Sequence, residues 1–286
     1  MELGYVDGEM NELELILYNV GQGLAVSLIE YPEQYVTQID LGSEGNFSPL
    51  EYLSSSRGLR ADVLYITHPH ADHLSDIMKL HYSSLCPNYM QYGDYDWDDV
   101  IEREHSDSKW IIEEFQKVAT FVSRGEHNGE NAFLWWKRWK PEAAKERFGE
   151  SSYINNSSLF LIYRWRDFKI SIGGDLETEA LEASLLGKEF CNHAKNTDIL
   201  IAPHHGHKSG YTPKWADALG KPYISLISVQ NRDPSVATGY YSSEFARGVT
   251  IGGETRHCLT IRSDGTIVVR MWYKSDGKCA WKFTFE

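Results

Sequence analysis

Short apolar runs separated by glycine turns open the chain, and their pattern predicts a series of β-strands. Residues 14–23 (ELILYNVGQG) and 24–31 (LAVSLIEY) meet at a glycine turn. Residues 35–42 (YVTQIDLG) alternate apolar and polar positions and end in an Asp-Leu-Gly turn, which is the period of a half-buried strand. Residues 61–67 (ADVLYIT) are a continuous apolar run, which indicates a strand buried on both faces.

The buried run 61–67 leads directly into a polar loop, HPHADHL. After the loop, Leu74, Ile77 and Met78 recur at helical spacing, so a helix is predicted there. The histidines would then lie between the carboxyl end of a strand and a helix, which is where open α/β sheets bind ligands.

The second half of the chain repeats this plan. Residues 155–165 (NNSSLFLIYRW) and 168–175 (FKISIGGD) are two β runs, and 197–203 (TDILIAP) is a third, with the helix-like stretch LETEALEASLLG before it. Residues 257–263 and 266–273 are further strands, and the Ser-Asp-Gly turn between them predicts a β-hairpin. Strands that alternate with helices predict an α/β fold.

Residues 93–150 interrupt this alternation, so we predict a single domain, 1–286, with an inserted segment at about 93–150. The segment contains a helix-like run, SKWIIEEFQKVATFV, and a basic aromatic patch, WWKRWK, at 135–140. Two roles are open for the patch. It could contact phosphates and bases, or its lysines could lay their aliphatic stems over buried aromatic rings. The whole segment could form a lid, a substrate platform, or a contact with a second copy of the chain or with another protein partner.

The charge balance and the composition limit the classes of partner. Asp and Glu number 41 against 28 Lys and Arg, which gives a formal charge of −13, so the long-range field repels polyanions. A nucleic acid would have to be held locally by metal ions and a few cations. The four cysteines form no CxxC pair, and there is neither a secretion-signal pattern nor an apolar run of about 18 residues. We therefore expect a soluble cytoplasmic protein that does not bind membranes.

Four metal-capable side chains are gathered in the first polar loop: His68, His70, Asp72 and His73. His68 and His70, two positions apart, face the same side of an extended segment and suit one ion. Asp72 and His73 turn toward a second ion at the start of the predicted helix. One ion could not bind all four comfortably.

Two further loops carry metal-capable side chains directly after buried β runs: Asp175 after residues 168–174, and the pair His204 and His205 after 197–203. A lone Asp or His in such a place is usually structural, but three such loops in succession indicate a common site. Two divalent ions there would share an ionised water, because a bound ion lowers the pKa of water from about 15.7 to about 7.

The order and spacing of these loops resemble the metallo-β-lactamase fold hydrolases. More narrowly, the motifs resemble the hydrolase domain of ComEC-type competence DNA-uptake proteins. The matching motifs are VGQG at 20–23, IDLG at 39–42, THPHADH at 67–73, NNSSLFL at 155–161, GGDLE at 173–177 and PHHGHKSG at 203–210. The resemblance spans about residues 14–230.

This resemblance implies an αβ/βα four-layer sandwich, with two sheets inside and helices outside, and a centre of two Zn²⁺ or Mn²⁺ ions. The implied ligands are His68 and His70 for the first ion, Asp72 and His73 for the second, Asp175 as the bridge, and either His204 or His205 as the last. Asn155, Asn156 and Ser157 stand where many relatives carry another metal-binding histidine, and His127 and His193 are candidate replacements.

The leading hypothesis is a stand-alone metal-dependent phosphodiesterase or nuclease whose substrate is DNA, RNA or a nucleotide. Its expected catalytic residues are Asp72, His207 as proton donor to the leaving oxygen, and Lys208, which with Ser209 would hold the phosphate. One alternative is a hydrolase of a small lactone, thioester or phosphoester, which the negative charge favours. Another is a non-catalytic subunit of a larger complex.

Overall fold

The structure, a computed structural model, describes residues 11–129, 131–230, 236 and 238–286. Residues 1–10, on which the expectation of no secretion signal partly depends, lie outside the described residues. Of the helices in the described ranges, none is long and apolar enough to cross a membrane.

The described strands and helices alternate along most of the chain. The strands are β1 (Glu12–Leu17), β2 (Val26–Tyr31), β3 (Tyr35–Ile39), β4 (Val63–Tyr65), β5 (Tyr89–Gln91), β6 (Ser123–Arg124), β7 (Ala132–Lys137), β8 (Phe160–Trp165), β9 (Phe168–Ile172), β10 (Ile199–Ile201), β11 (Ile224–Ile227), β12 (Val249–Ile251), β13 (Glu254–Arg256), β14 (Cys258–Thr260), β15 (Ile267–Tyr273) and β16 (Cys279–Phe285). The α-helices are α1 (Pro49–Arg57), α2 (Trp97–Arg103), α3 (Lys109–Ala119), α4 (Pro141–Phe148), α5 (Tyr153–Asn156), α6 (Thr178–Ser184), α7 (Lys188–Ala194), α8 (Pro213–Leu219) and α9 (Ile261–Asp264).

Two mixed sheets contain most of these strands. The first has the order β16-β15-β1-β2-β3-β4-β5-β6, and the second has the order β14-β11-β10-β9-β8-β7. In the first sheet the pairs from β3 to β6 are parallel, and in the second sheet the parallel pairs run from β9 through β10 and β11 to β14. The carboxyl ends of these parallel strands carry the loops in which the sequence predicts the site.

Apolar side chains from both sheets form the central core. Leu15 of β1, Ile39 of β3, Ile170 of β9 and Leu226 of β11 belong to this one cluster and are fully buried. The opposite faces of the sheets pack against helices, because alternate residues of a strand point to opposite sides. On the first sheet α1 and α3 take part in these outer clusters, and on the second sheet α6, α7 and α8 do. The predicted αβ/βα four-layer sandwich is therefore confirmed.

The helix predicted directly after the histidines is wrong in type. Residues 71–73 and 77–81 form two short 3₁₀ segments, and the Met78 side chain is 45 % exposed. The reason lies in the backbone: Leu41 N–H donates to the carbonyl of His73, and Asp76 N–H donates to the carbonyl of Leu41. These bonds to the turn after β3 replace the bonds that would continue an α-helix.

The predicted hairpin between residues 257–263 and 266–273 is also wrong. β14 is an edge strand of the second sheet, whereas β15 pairs with β1 and β16 in the first. Residues 261–264 form α9, where the Thr260 side chain accepts a hydrogen bond from Ser263 N–H. The Ser-Asp-Gly sequence therefore ends a helical turn and carries the chain from one sheet to the other.

Residues 93–150 are built into both sheets. They supply β6, which pairs with β5 at the edge of the first sheet, and β7, which pairs with β8 at the edge of the second. The helix predicted in this segment is confirmed as α3, whose Ile112 and Phe115 side chains are fully buried.

Candidate metal centre

The three predicted loops meet at the carboxyl ends of β4, β9 and β10. Asp175 lies among the histidines of the loop after β4: its Oδ1 is 3.3 Å from His73 Nε2, and its Oδ2 is 3.8 Å from His68 Nε2. His205 Nε2 is 3.4 Å from Asp175 Oδ2 and 3.6 Å from Asp72 Oδ2. Turns that are far apart in the sequence thus converge on one point.

The spacing of these atoms suits divalent metal ions. Two ligand atoms at about 2.1 Å from a tetrahedrally bound ion lie about 3.4 Å apart. His68 Nε2 and His70 Nδ1 are 3.0 Å apart, and the Nε2 atoms of His73 and His205 are 3.3 Å apart. Ring nitrogens that face each other this closely require a shared proton or cation, because two lone pairs repel. The donor set therefore fits metal.

Two groups of residues each have ligand atoms within 4.8 Å of one another: His68, His73 and Asp175, and Asp72, His73 and His205. His73 belongs to both groups, and Asp175 contacts His205 of the second, so the ligands form one continuous cluster. The term metal cluster refers below to His68, His70, Asp72, His73, Asp175 and His205.

The geometry separates His204 from His205, which the sequence left as alternatives. Both have left-handed backbone, with φ of 49° and 52°, a conformation that costs a non-glycine residue about 1–3 kcal/mol. The strained turn sends the rings apart, with centroids 6.5 Å from each other. His205 Nδ1–H donates to the Ser228 carbonyl at 3.1 Å, which leaves Nε2 for the metal cluster. His204 Nδ1 lies instead 2.9 Å from Ser209 Oγ.

Asp40, in the turn after β3, holds His73 in place. Its Oδ2 accepts hydrogen bonds from His73 Nδ1 at 2.7 Å and Thr67 Oγ1 at 2.6 Å, and its Oδ1 accepts from Thr67 N–H at 2.7 Å. A carboxylate behind a histidine fixes the ring and makes the outer nitrogen a better ligand. Sequence reasoning gave Asp40 no role; its one signal is an acidic residue in the turn that ends a buried strand.

Ser209 connects His204 to His207. Its Oγ is 2.9 Å from His204 Nδ1 and 2.6 Å from His207 Nδ1, and its backbone N–H donates to His207 Nδ1 at 3.1 Å. His207 Nδ1 is therefore an acceptor, and its Nε2 carries the proton of the neutral ring. It follows that the Ser209 hydroxyl donates to His207 and accepts from His204.

Burial and neighbouring charges set the protonation of the metal cluster. Burial lowers the pKa of His68 well below its usual value. Burial also opposes a charge on His73, but Asp175 and Asp40 outweigh it and raise the pKa of His73. For Asp175, burial is outweighed by His205 and His73, which hold its pKa well below the usual range. Asp175 is thus a carboxylate, as a metal ligand must be.

The metal cluster borders a cleft of about 320 Å³. The residues that line the cleft are Gln22, His70, Asp72, Asn155, Asp175, His204, His205, His207 and Val236. Among the described residues, no lysine or arginine lines it. Lys208, predicted to hold a phosphate, is exposed beside the cleft and is not one of the lining residues.

The basic aromatic patch at 135–140 is engaged in packing and ion pairs. Trp135 stacks on His193 with ring centroids 4.5 Å apart, and Arg138 pairs with Asp94 at 3.3 Å. These contacts favour the structural interpretation of the patch. They also place His193 in an aromatic stack, and not in the metal cluster.

His127, the other candidate replacement ligand, also lies outside the metal cluster. Its Nδ1 is 3.1 Å from the hydroxyl of Tyr35, and its ring stacks on Tyr89. The glycines at 173 and 174, directly before Asp175, allow close packing of the protein itself. A Cβ on Gly173 would lie 2.5 Å from Pro203 Cγ.

No protein-family profile matches the sequence, and no curated protein is similar to it in sequence. Solved structures resemble its fold. The metallo-β-lactamase fold protein YhfI from Bacillus subtilis is 12 % identical with a TM-score of 0.45, and the match covers 76 % of this chain and 85 % of that one. The metallo hydrolase Igni18 from Ignicoccus hospitalis is 14 % identical with a TM-score of 0.46, over 85 % of this chain and 97 % of that one.

A diphosphatase of the PhnP family is 12 % identical with a TM-score of 0.41, over 75 % of this chain and 85 % of that one. The two inner sheets, the outer helices and the converging loops described above are the features that the resemblance to metallo-β-lactamase fold hydrolases implies. The narrower resemblance to ComEC-type hydrolase domains stays a prediction.

Proposed function

We propose that this chain is a metal-dependent hydrolase that cleaves phosphodiester bonds in nucleic acids or nucleotides. The observation that supports the proposal is the metal cluster, whose donors are spaced for divalent ions at the edge of a polar cleft. Divalent ions bound there would lower the pKa of water to about 7 and neutralise charge on the phosphoryl oxygens.

Asp72 and His207 are the residues best placed to act on substrate. The Asp72 side chain is 39 % exposed, whereas those of His73, Asp175 and His205 are 0 %, 7 % and 6 % exposed. Asp72 is therefore the residue among these four that can orient an incoming water at the entrance of the cleft. His207 also lines the cleft, and as an imidazolium it can pass its Nε2 proton to the leaving oxygen and return to the neutral ring, a step that contributes about 10²–10⁴-fold in rate.

The cleft favours a compact substrate over a long duplex. Its lining includes no lysine or arginine among the described residues, and the formal charge of the chain is −13. Tight binding of a long polyanion depends on several lysine or arginine contacts with phosphates. A nucleotide or the end of a short single strand needs only the metal ions to hold one phosphate.

The proposal is tested by measuring hydrolysis of bis-p-nitrophenyl phosphate, short single-stranded DNA and RNA, each with Mn²⁺ or Zn²⁺. Asp175→Ala should lower the rate at least about a hundredfold, because even the outer partners of metal ligands are worth 10- to 100-fold. The matched control is Asp167→Ala, an exposed aspartate at the opposite end of β9, which should retain activity. Equal rates for the two variants would refute the site.

A hydrolase of a small lactone, thioester or phosphoester is the second candidate, since the same lack of lysine and arginine in the described lining favours it. The assay separates the two functions when p-nitrophenyl phosphate, a lactone and a thioester are added to the panel. Activity confined to these small substrates, and lost in Asp175→Ala, would replace the phosphodiesterase proposal. Purified protein that holds no metal would instead favour a non-catalytic subunit.

A further inference from the structure

We infer that Asn155 is an additional metal ligand, through its side-chain Oδ1, and that it adapts the centre to an oxygen-preferring ion such as Mn²⁺. This inference rests on the proposed metal-dependent function and names a residue that completes the same site. It concerns a buried side-chain oxygen that has no hydrogen-bond partner among the described residues.

Asn155 lies in the short helix α5 and lines the cleft together with His70 and Asp175. Its Oδ1 is buried and has no hydrogen-bond partner among the described residues. A buried carbonyl oxygen without a partner costs about 1–3 kcal/mol. An oxygen in a cleft that members of the metal cluster also line is satisfied when a cation binds next to it.

The orientation of the Asn155 amide follows from its other contact. Its Nδ2 donates to Glu177 Oε1 at 3.4 Å. Rotating the amide by half a turn would set two acceptor oxygens against each other, so the nitrogen faces Glu177 and Oδ1 is the free atom.

The neighbouring Asn156 shows what a purely structural amide looks like in this helix. Its Oδ1 accepts a hydrogen bond from Glu177 N–H at 2.9 Å, and its Nδ2 donates to Glu177 Oε2 at 3.3 Å. Both ends of that side chain are satisfied by one residue. Asn155 contacts the same glutamate with one end only, and the other end remains for a ligand.

The coordination number also calls for another donor. His68 Nε2, His73 Nε2 and one Asp175 oxygen supply three neighbouring ligand atoms, and His70 Nδ1, 3.0 Å from His68 Nε2, supplies a fourth, whereas manganese commonly takes six. An amide oxygen is a hard, uncharged ligand, which suits Mn²⁺ better than Zn²⁺. Asn155 Oδ1 would thus be a further donor to an ion held by these residues.

The test is metal binding by the full chain, measured without reference to catalysis. Protein stripped with EDTA is titrated with MnCl₂ and ZnCl₂ by calorimetry, and the bound ions are counted by mass spectrometry. Asn155→Ala should weaken binding of one Mn²⁺ at least about tenfold. Asn155→Asp keeps an oxygen ligand and adds charge, so it should bind Mn²⁺ at least as tightly as the wild type. Asn155→His should shift the preference toward Zn²⁺.

Asn156→Ala is the matched control. It should lower Tm, because two hydrogen bonds to Glu177 are lost, but it should keep the number of ions and the Mn²⁺ affinity. Unchanged Mn²⁺ affinity in a folded Asn155→Ala protein would overturn the inference and leave the proposed function intact. Failure of the wild type to bind Mn²⁺ or Zn²⁺ would overturn both.

Discussion

At the scale of single residues, Ser209 decides how His207 is protonated. Its hydroxyl and its N–H both donate to Nδ1 of the neutral ring, which fixes the ring in orientation and keeps Nε2 protonated. We expect Ser209→Ala to lower kcat about tenfold or more with little change in KM, since general acid catalysis is worth about 10²–10⁴-fold and this variant only disturbs it.

The measurement is the pH dependence of kcat and of KM for Ser209→Ala and for Ser209→Thr, which keeps the hydroxyl and should restore most of kcat. The alternative role, in which Ser209 holds the phosphate, predicts a rise in KM. A variant whose KM alone changes would support that role and contradict the role of Ser209 in positioning His207.

Asp198 provides a prediction about stability. Burial raises its pKa from the usual 3.8 to about 6. Between about pH 4 and 6 the unfolded chain therefore has an ionised carboxylate while the folded chain keeps the proton, so this group's contribution to stability falls as pH rises. Asp198→Asn removes the titration and can still accept the 2.8 Å bond from Lys169 N–H. We expect it to be about 1–2 kcal/mol more stable at pH 7.

Urea unfolding at pH 4, 5, 6 and 7 checks this expectation. The free energy difference between Asp198→Asn and the wild type should be near zero at pH 4 and should grow toward pH 7. A difference that is constant across the range would show that the carboxylate is not responsible.

Sequence reasoning at this scale identifies residue types but not their directions. The pattern places His204 and His205 side by side, and only the contacts of the folded turn distinguish them: His205 Nε2 lies 3.4 Å from Asp175 Oδ2, whereas His204 Nδ1 lies 2.9 Å from Ser209 Oγ. Asp40 is likewise invisible as a partner of His73, because a bond between residues 33 positions apart depends on how the two turns pack.

At the scale of elements, the parallel register of β9 and β10 explains why two of the predicted loops meet. Ile172 lies opposite Ile201 in the last pair of this ladder. The loops with Asp175 and His205 therefore begin at the same edge of the sheet, which the sequence could predict from two buried runs that each end in a polar turn. It could not predict the 3₁₀ segments at 71–81, because their cause is bonding to Leu41.

The glycine turn after β1 connects the elements of the site. A Cβ on Gly23 would lie 2.0 Å from the Asp72 carbonyl oxygen. The Gly23 carbonyl accepts a 2.5 Å bond from Ser228 Oγ, and the Ser228 carbonyl in turn accepts from His205. We expect Gly23→Ala to cost about 1–3 kcal/mol and to weaken metal binding, because the loop must move away from both ligands.

Thermal unfolding and Mn²⁺ calorimetry on Gly23→Ala and Gly239→Ala test this connection. A Cβ on Gly239 meets no atom of the described part of the chain within 4 Å, so that variant should retain both Tm and Mn²⁺ affinity. If Gly23→Ala behaved like the control, the turn would have no part in positioning the ligands.

At the scale of the whole molecule, the layers are predictable and the membership of strands in sheets is only partly so. Buried runs such as ADVLYIT and TDILIAP indicate central strands covered by helices. Nothing local distinguishes residues 257–263 from 266–273, since both are short apolar strands and a turn lies between them. Their separation into two sheets is decided by pairing with β11 and β1, which are remote in sequence.

The central core and the metal cluster occupy different parts of the molecule, and this separation predicts the effect of metal removal. The central core consists of apolar side chains from both sheets, and the metal cluster lies at the carboxyl ends of the strands. EDTA should therefore lower Tm without unfolding the protein. Ions at a hundred times their Kd add about 2.7 kcal/mol, which for a 286-residue domain corresponds to roughly 4–5 °C.

Calorimetric scans of the protein with Mn²⁺ and with EDTA measure this shift, and far-UV circular dichroism at 25 °C checks that the stripped protein stays folded. Asp175→Ala should show a much smaller shift, because a carboxylate that contacts His68, His73 and His205 is lost from the ligand set. Loss of the folded spectrum on adding EDTA would contradict the separation of core and site, since the ions would then hold the two sheets together.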